Sequence, residues 1–509
     1  MKRQVMLQRI SDFRQAWDLV IIGGGATGLG IAWNASACGY RSLLLESNDF
    51  AHGTSSRSTK LIHGGVRYLR QGQIAMVRSA LHEREQLLRT AQPFVWPLEM
   101  VIPSYRLGSR WYYYAGLKLY DFLAGKRNMQ PARLVSSQSI SSLLPTIKSN
   151  GLRGGVAFSD GQFDDARLAL AVAQSIAADG RSAALNYAPV QSIDTHRDSG
   201  TRVVRFRDLI GQQEMEVQAK VVINATGVFA EQVSRLEKQP TNIDHPIRIA
   251  PSRGTHLVLP GTFLPGKHAL MIPHTDDGRV LFLIPWLGYT LLGTTDIATN
   301  SIDLEPRATD EEVDYLLSHA ARYLTVAPQR KDVLSVFSGL RPLLGKTGNR
   351  STSQLSREHE IMVSPNGLIS IIGGKWTTFR KMGLDVLKLA IELGGLRPLV
   401  YQTPQLHQES SHARTVHSDE LLRLDPELPV CRADVRRAVQ SEMAEQLEDV
   451  LARRTRCLLL NAAATKAVAP TVAEWMSQEN GRGPEWVQNQ VTSFSQLADG
   501  YRLRAQAIS

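Results

Sequence analysis

The chain has 509 residues, 43% of them hydrophobic and 21% charged, too long for one compact core and too apolar for a disordered chain. A formal net charge of +10 suits anionic partners (nucleic acid, anionic lipid or a phosphorylated substrate) without choosing among them. Three distant cysteines, Cys38, Cys431 and Cys457, form no CxxC pair, so no disulfide framework and no metal site is expected, and a reducing compartment is.

At the N-terminus, Met6, Ile10, Phe13 and Trp17 recur at helical spacing and predict an amphipathic helix over residues 3–16. Lys2, Arg3, Arg9 and Arg14 interrupt it, so it does not read as a signal peptide. Its apolar stripe either packs on the domain behind it or lies on a membrane surface. Asp18–Ile22 then predicts a buried strand, Gly23-Gly-Gly-Ala-Thr-Gly28 a turn, the Ala-rich stretch to Ala37 a helix, and Arg41–Glu46 a second strand. The run from Gly53 to Leu69 is rich in hydroxyls, glycine and cations. Residues 105–127 interleave Trp111, Tyr112, Tyr113, Tyr114, Tyr120 and Phe122 with Arg106, Arg110, Lys118, Lys126 and Arg127. Such a mixture suits a lipid headgroup interface, unless it packs within the protein.

Further on, Ala219–Ala225 predicts a buried strand ending in Thr226-Gly227. Leu257–Leu259, Val280–Pro285 and Tyr289–Gly293 read as antiparallel strands, with turns at Asp277-Gly278 and near Gly288. Leu368–Ile372 is a third buried strand, followed by Gly373-Gly374 and a helical pattern from Lys375 to Leu393. Residues 405–509 mix charges of both signs with helical apolar spacing at Leu447, Val450, Leu451 and Leu458. No run of about 18 apolar residues appears, so no membrane-spanning helix is expected.

Gly23-x-Gly25-x-x-Gly28 closes a strand and opens a helix, and Glu46 follows Gly28 by 18 residues. That context gives each residue a task. Gly23 permits the tight turn, Gly25 lets the backbone approach a pyrophosphate, and Gly28 allows close helix–strand packing. The helix start at Ala26 and Thr27 offers amides to the phosphates, and Glu46 can accept hydrogen bonds from a ribose. The pattern alone leaves NAD and FAD open. The hydroxyl-rich run after Glu46 favours a long, extended FAD.

The run Thr54–Leu69 resembles the signature of FAD-dependent, quinone-linked glycerol-3-phosphate dehydrogenases. Further matches follow in order: Asn224–Gly227, Arg253-Gly-Thr-His256, Phe282–Trp286 with Gly293-Thr-Thr-Asp296, Ser338–Pro342, Ser356-Arg357, Gly373–Lys381 and Leu451–Arg456. The resemblance implies an α/β fold. An FAD-binding Rossmann-like domain of the glutathione-reductase or D-amino-acid-oxidase type is interrupted by a β-rich substrate domain and followed by a helical C-terminal domain. Residues 1–90, 150–245 and 335–400 are assigned to the first, 91–149 and 246–334 to the second, and 405–509 to the third. The resemblance further implies that Thr54, Ser55, Ser58, Lys60, Leu61, Gly64 and Gly65 face FAD, with Ala225 and Gly227 near its backbone. Gly373, Gly374, Lys375 and Thr377 would set a helix N-terminus at the flavin's N1–C2 carbonyl edge, where reduction places negative charge.

Oxidising a secondary alcohol needs a hydride path, a base and a clamp, and arginine suits a phosphate clamp because its fork binds oxygens in pairs. At the family's positions, Arg67, Tyr68 and Arg357 are assigned to phosphate or substrate anchoring. His256 is assigned as proton acceptor, Arg341 as polariser of the oxygen, and Lys375 as a rival base. Asp296 either caps a turn or supports the site. Arg253 stands where some relatives carry lysine or a small residue, and either adds to the phosphate field or is tolerated.

The expected reaction is oxidation of sn-glycerol 3-phosphate to dihydroxyacetone phosphate, with electrons passing through FAD to a membrane quinone. The expected location is the inner face of the cytoplasmic membrane, held peripherally by anionic lipid; a homodimer is compatible. The alternative is an oxygen-using FAD oxidase of glycerol 3-phosphate or of an amino or hydroxy acid. An electron-transfer subunit, an NAD-linked enzyme and a flavin-binding regulator without turnover rank lower. Nucleic acid is not an expected partner, because the roughly charge-neutral C-terminal part offers no obvious basic face.

Overall fold

In the computed structural model, which describes residues 1–70, 72–196, 200–238, 247–345, 358–407 and 418–503, strand Trp17–Ile22 lies inside an eight-stranded sheet. The strand order is Glu360–Val363, Ile369–Ile372, Gln213–Asn224, Trp17–Ile22, Ser42–Leu45, Ala183–Leu185, with Val190–Thr195 and Arg202–Asp208 attached through Gln213–Asn224. The central pairs are parallel. Leu19, Val20 and Ile21 are all fully buried, as continuous apolar strands are when helices cover both sheet faces. Helix Ala26–Ala37 packs against helix Phe379–Leu393 on this sheet. The order of strands reverses beside Trp17–Ile22, and a ligand crevice belongs at the carboxyl ends of strands there.

A second sheet of ten strands is mostly antiparallel. Its spine runs Ile297–Ala298, Ser252–Pro260, Tyr289–Gly293, Leu281–Trp286, Ala269–Ile272, Val95–Pro103, Gly155–Phe163, Leu61–Ile62. Ser335–Arg341 pairs with Ser252–Pro260. The sequence-based division differs here. Leu61–Ile62, Gly155–Phe163 and Ser335–Arg341 fall in the spans expected for the cofactor domain, yet all three hydrogen-bond into the second sheet. Strands of mixed apolar and polar composition carry no mark of which ladder they join.

The N-terminal helix Arg3–Asp12 turns Met6 and Ile10 into the core, Trp17 is buried beyond it, and Phe13 packs against Trp17. Arg3 is buried as well, bonded to Asn186 and Asp208. The stripe therefore faces protein, and the membrane alternative for residues 3–16 falls.

Helices Arg432–Ser441, Ala462–Asn480 and Pro484–Asp499 form the C-terminal unit. Leu447, Val450, Leu451, Leu458 and Val472 share one core with Met100, Phe158 and Trp286 of the second sheet. The π-helical turn Asp449–Arg454 aims cations inward: Arg453 and Arg454 meet the buried carboxylate of Asp49. Burial works to raise that carboxyl, but the two guanidinium groups override it and hold it below the usual value.

Candidate active site

A cavity of about 510 Å³ runs between the two sheets. One end is the glycine turn. Gly23 takes φ +108°, and a methyl group on Gly28 would sit 1.9 Å from the Gly23 carbonyl oxygen, so helix Ala26–Ala37 packs where only glycine fits. Glu46 stands just past strand Ser42–Leu45. Its Oε2 accepts from the Gly24 amide at 2.6 Å and its Oε1 from the Asn48 amide at 2.8 Å, fixing the carboxylate on the wall with lone pairs to spare. Gly23, Gly25, Ala26 and Thr27 line this end.

The middle of the wall carries Thr54, Ser55, Ser58, Thr59, Leu61 and Gly65, with Ala225 and Gly227 opposite. Thr54 donates to the Leu340 carbonyl at 2.6 Å, and Ser55 accepts from the Ala26 amide at 2.9 Å. Gly373 and Gly374 (φ +83° and +84°) then swing the chain from strand Ile369–Ile372 into the short turn Trp376–Thr378 and helix Phe379–Leu393. A Cβ on Gly374 would meet Met382 Sδ at 2.3 Å. The regular helix starts later than the expected Lys375, because the glycine pair and the short turn come first. Gly373, Gly374, Lys375 and Thr377 all line the cavity. The Trp376 indole donates to the Ser55 carbonyl at 2.8 Å, joining this segment to the hydroxyl-rich run.

Three predicted cofactor residues are not on the wall. Gly28 serves helix packing. The Gly64 amide donates to the Tyr120 hydroxyl at 2.8 Å, and a Cβ there would strike that oxygen. Lys60 is a correction: its side chain is fully buried, and its ammonium donates to Asp165 and to the Ser56 carbonyl, both at 2.7 Å. It also lies 5.1 Å from the Trp286 ring and 5.3 Å from that of Phe337. A carboxylate 105 positions away, invisible to local reading, draws it inward.

At the other end stand Tyr68, His256, Arg341 and Lys375. His256, on strand Ser252–Pro260, stacks on Phe337 with ring centroids 5.0 Å apart, and its Nε2 lies 2.9 Å from the Thr59 hydroxyl. Burial, with Lys60 and Arg341 nearby, pushes its pKa well below the usual 6.5, so the ring is neutral at physiological pH. Arg341 donates to Asp296 at 3.1 Å, and to Thr294 Oγ1 and the Thr295 carbonyl at 3.2 Å. Asp296, buried and also accepting from Ser252, is therefore a support for Arg341. The Lys375 ammonium sits 3.6 Å from the centroid of the Tyr68 ring, whose negative face attracts a cation. Arg253 is engaged by Glu312 at 2.9 Å and is absent from the wall. The backbone of Arg67 lies in helix Val66–Arg70, its side chain is not described, and Arg357 lies outside the described residues. Thr59 and Thr294 were missed. Both stand in the quoted motifs, but only the fold singles them out from their hydroxyl neighbours.

The profile of the family described as FAD dependent oxidoreductase matches residues 18–380, and that of the C-terminal domain of alpha-glycerophosphate oxidase matches 402–486. The mitochondrial glycerol-3-phosphate dehydrogenase of Macaca fascicularis is 35% identical, over 99% of this chain and 76% of its own. A probable mitochondrial glycerol-3-phosphate dehydrogenase of Caenorhabditis elegans is 36% identical, over 92% and 71%. The glycerol-3-phosphate dehydrogenase of Bacillus halodurans, solved with FAD, shares the fold with a TM-score of 0.75 over 100% of both chains at 24% identity.

Proposed function

The chain belongs to the FAD-dependent glycerol-3-phosphate dehydrogenases, and on that premise we propose how its residues divide the work and where the electrons go. The residues fit FAD: Glu46 for the ribose, the Gly23–Thr27 turn and helix start for the pyrophosphate, and Ser58, Leu61, Gly65 and Gly373–Thr377 for the flavin. The observation that carries this is the single cavity joining the Glu46 end to the His256–Arg341–Lys375 end.

Bound FAD supplies the two-electron acceptor for the hydride leaving the alcohol carbon. The chain's own groups handle the proton and the charge. His256, neutral and buried, accepts the hydroxyl proton at Nε2, where the Thr59 hydroxyl now pairs. Arg341, held in one orientation by Asp296, Thr294 and Thr295, meets the oxygen as negative charge develops there. Lys375, seated on Tyr68, adds positive charge to the phosphate end, with Arg67 and Arg357 as further anchors on grounds of the family pattern. The same cations that favour an anionic oxygen disfavour a protonated His256, so the ring holds the proton only in passing.

The proposed acceptor is a quinone reached at an anionic membrane surface on the cytoplasmic side. Helix Ser109–Ala124 supports this. It buries Leu117, Tyr120 and Ala124 and exposes Trp111, Tyr112, Leu119 and Phe122, the last 80% exposed, with Leu107 at 87% just before it. Arg106 and Arg127 flank this face. Aromatic rings beside cations suit the headgroup layer, where each cation near anionic lipid contributes about 1 kcal/mol. Among the described residues no helix is long and apolar enough to cross a membrane.

The test is anaerobic bleaching of the purified holoprotein. sn-Glycerol 3-phosphate should bleach the flavin, and glycine, proline or lactate should not. Bleaching by an amino or hydroxy acid instead would overturn the substrate assignment. Reoxidation by a short-chain quinone should outpace reoxidation by oxygen; the reverse favours the oxidase reading.

A further inference from the structure

The segment 56–60, which brings Ser58 and Thr59 to the cavity, is gripped from behind by a residue of the C-terminal unit. Arg456 donates through one nitrogen, Nη2, to the Ser56 carbonyl and to Asp165 Oδ1, both at 2.9 Å, across 400 positions of sequence. Asp165 Oδ2 accepts from Lys60 Nζ and Ser58 Oγ, both at 2.7 Å. The Ser56 carbonyl also accepts from Lys60 at 2.7 Å. Lys60 and Asp165 are fully buried and Arg456 is 1% exposed, so water cannot substitute for the bonds that Lys60 and Arg456 make. Lys60 (φ +61°) and Arg456 (φ +68°) both adopt left-handed backbone. Such a backbone is strained in a non-glycine residue, so the surrounding contacts must hold it in place. The front of the segment ends at the active base, since the Thr59 hydroxyl lies 2.9 Å from His256 Nε2.

We infer that Arg456 and Asp165 are positioning residues of the cofactor site: together they fix the backbone of residues 56–60, and hence the wall presented by Ser58 and Thr59 and the partner of His256. The helical C-terminal unit then completes the site. The inference rests on the reading that the cavity holds FAD. Electrostatics agree with the geometry. Burial pushes Lys60 down to about 7, with Asp165 drawing it back up and Arg456 adding to the fall. Burial raises the Asp165 carboxyl, but Lys60 and then Arg456 override it and hold it below the usual value.

The test compares full-length Arg456→Met, Arg456→Lys and Val472→Ala. Val472 is fully buried in the same C-terminal core, so its truncation weakens that unit directly. FAD affinity is read by fluorescence titration of each apoprotein, with the visible flavin spectrum and melting temperature alongside. Losing a charged hydrogen-bond donor should weaken FAD binding about 10-fold or more in Arg456→Met and shift the flavin bands. Arg456→Lys, which keeps the buried charge and lacks the fork, should weaken it by a smaller factor. Val472→Ala should melt lower with unchanged FAD affinity. Unchanged affinity and spectrum in both Arg456 variants would overturn the inference, as would an equal loss in Val472→Ala. If Arg456→Met does not fold, Arg456→Lys against Val472→Ala decides. Wild-type apoprotein that takes up no FAD would sink the cofactor reading instead.

Discussion

Arg341 is the residue whose loss should be most informative about catalysis. Its guanidinium is oriented before substrate arrives, by Asp296 at 3.1 Å and by Thr294 Oγ1 and the Thr295 carbonyl at 3.2 Å. A donor fixed in advance costs nothing to orient as charge appears, and removing such a donor typically lowers kcat about 100- to 1,000-fold, or about 2.7–4 kcal/mol. Arg341→Ala should therefore lose about that much in turnover of sn-glycerol 3-phosphate with a soluble dye as acceptor, with KM shifting less than about 5-fold. Arg341→Lys should stay impaired, because an ammonium keeps the charge but cannot span the three acceptors. Asp296→Asn should lose a smaller factor, since Thr294 and Thr295 still hold the fork. Added guanidinium should restore part of the Arg341→Ala loss and none of the Arg341→Lys loss. A large rise in KM at unchanged kcat would make Arg341 a ground-state anchor, and wild-type values of both would leave it structural.

His256 is buried neutral with its pKa pushed well below 6.5. Below about pH 6.5 the unfolded chain gains a proton that the folded one refuses, so stability falls toward acid by at most about 1.4 kcal/mol per pH unit from this group. Melting temperature against pH should be flatter between about 6.5 and 4.5 in His256→Gln than in wild type; parallel curves would refute this. Asp49→Ala takes the ion-pair partner from buried Arg454, while Arg453 keeps Glu448 and Asp449, and should cost about 3–5 kcal/mol in urea unfolding. A loss below about 1 kcal/mol would mean that Arg454 finds another partner. Trp111→Ser combined with Phe122→Ser should weaken co-sedimentation with anionic vesicles about 10-fold or more, because each ring withdraws about 1.5–3 kcal/mol of burial. Turnover with a soluble dye should stay at the wild-type level, and undiminished vesicle binding would exclude this face.

The parts of the molecule legible in sequence are those where one short stretch does one physical job. The turn Gly23–Gly28 with Glu46 is such a case, because the steric demands of a tight turn and a close helix leave glycine as the sole choice. The strands Trp17–Ile22, Gln213–Asn224 and Ile369–Ile372 are another, since continuous burial requires continuous apolar sequence. Illegible parts depend on partners distant in sequence. Gly155–Phe163 and Ser335–Arg341 carry no clear strand pattern, and the sheet they join is decided by ladders with residues 95–103 and 252–258. Lys60 and Ser58 look alike as polar residues of one loop. The position of Asp165 sends the lysine into the core while leaving the serine on the wall. Residues 3–16, an amphipathic helix by spacing, and residues 105–127, a mixture of aromatics and cations, both suit a membrane surface in sequence. Moment and composition cannot tell which stripe has a protein surface waiting for it. Arg3 settles the first by bonding Asp208, a buried carboxylate far along the chain. Among the described residues Phe122 and Trp111 are covered by no such partner surface and remain exposed, which is why the proposed membrane contact is placed on helix Ser109–Ala124.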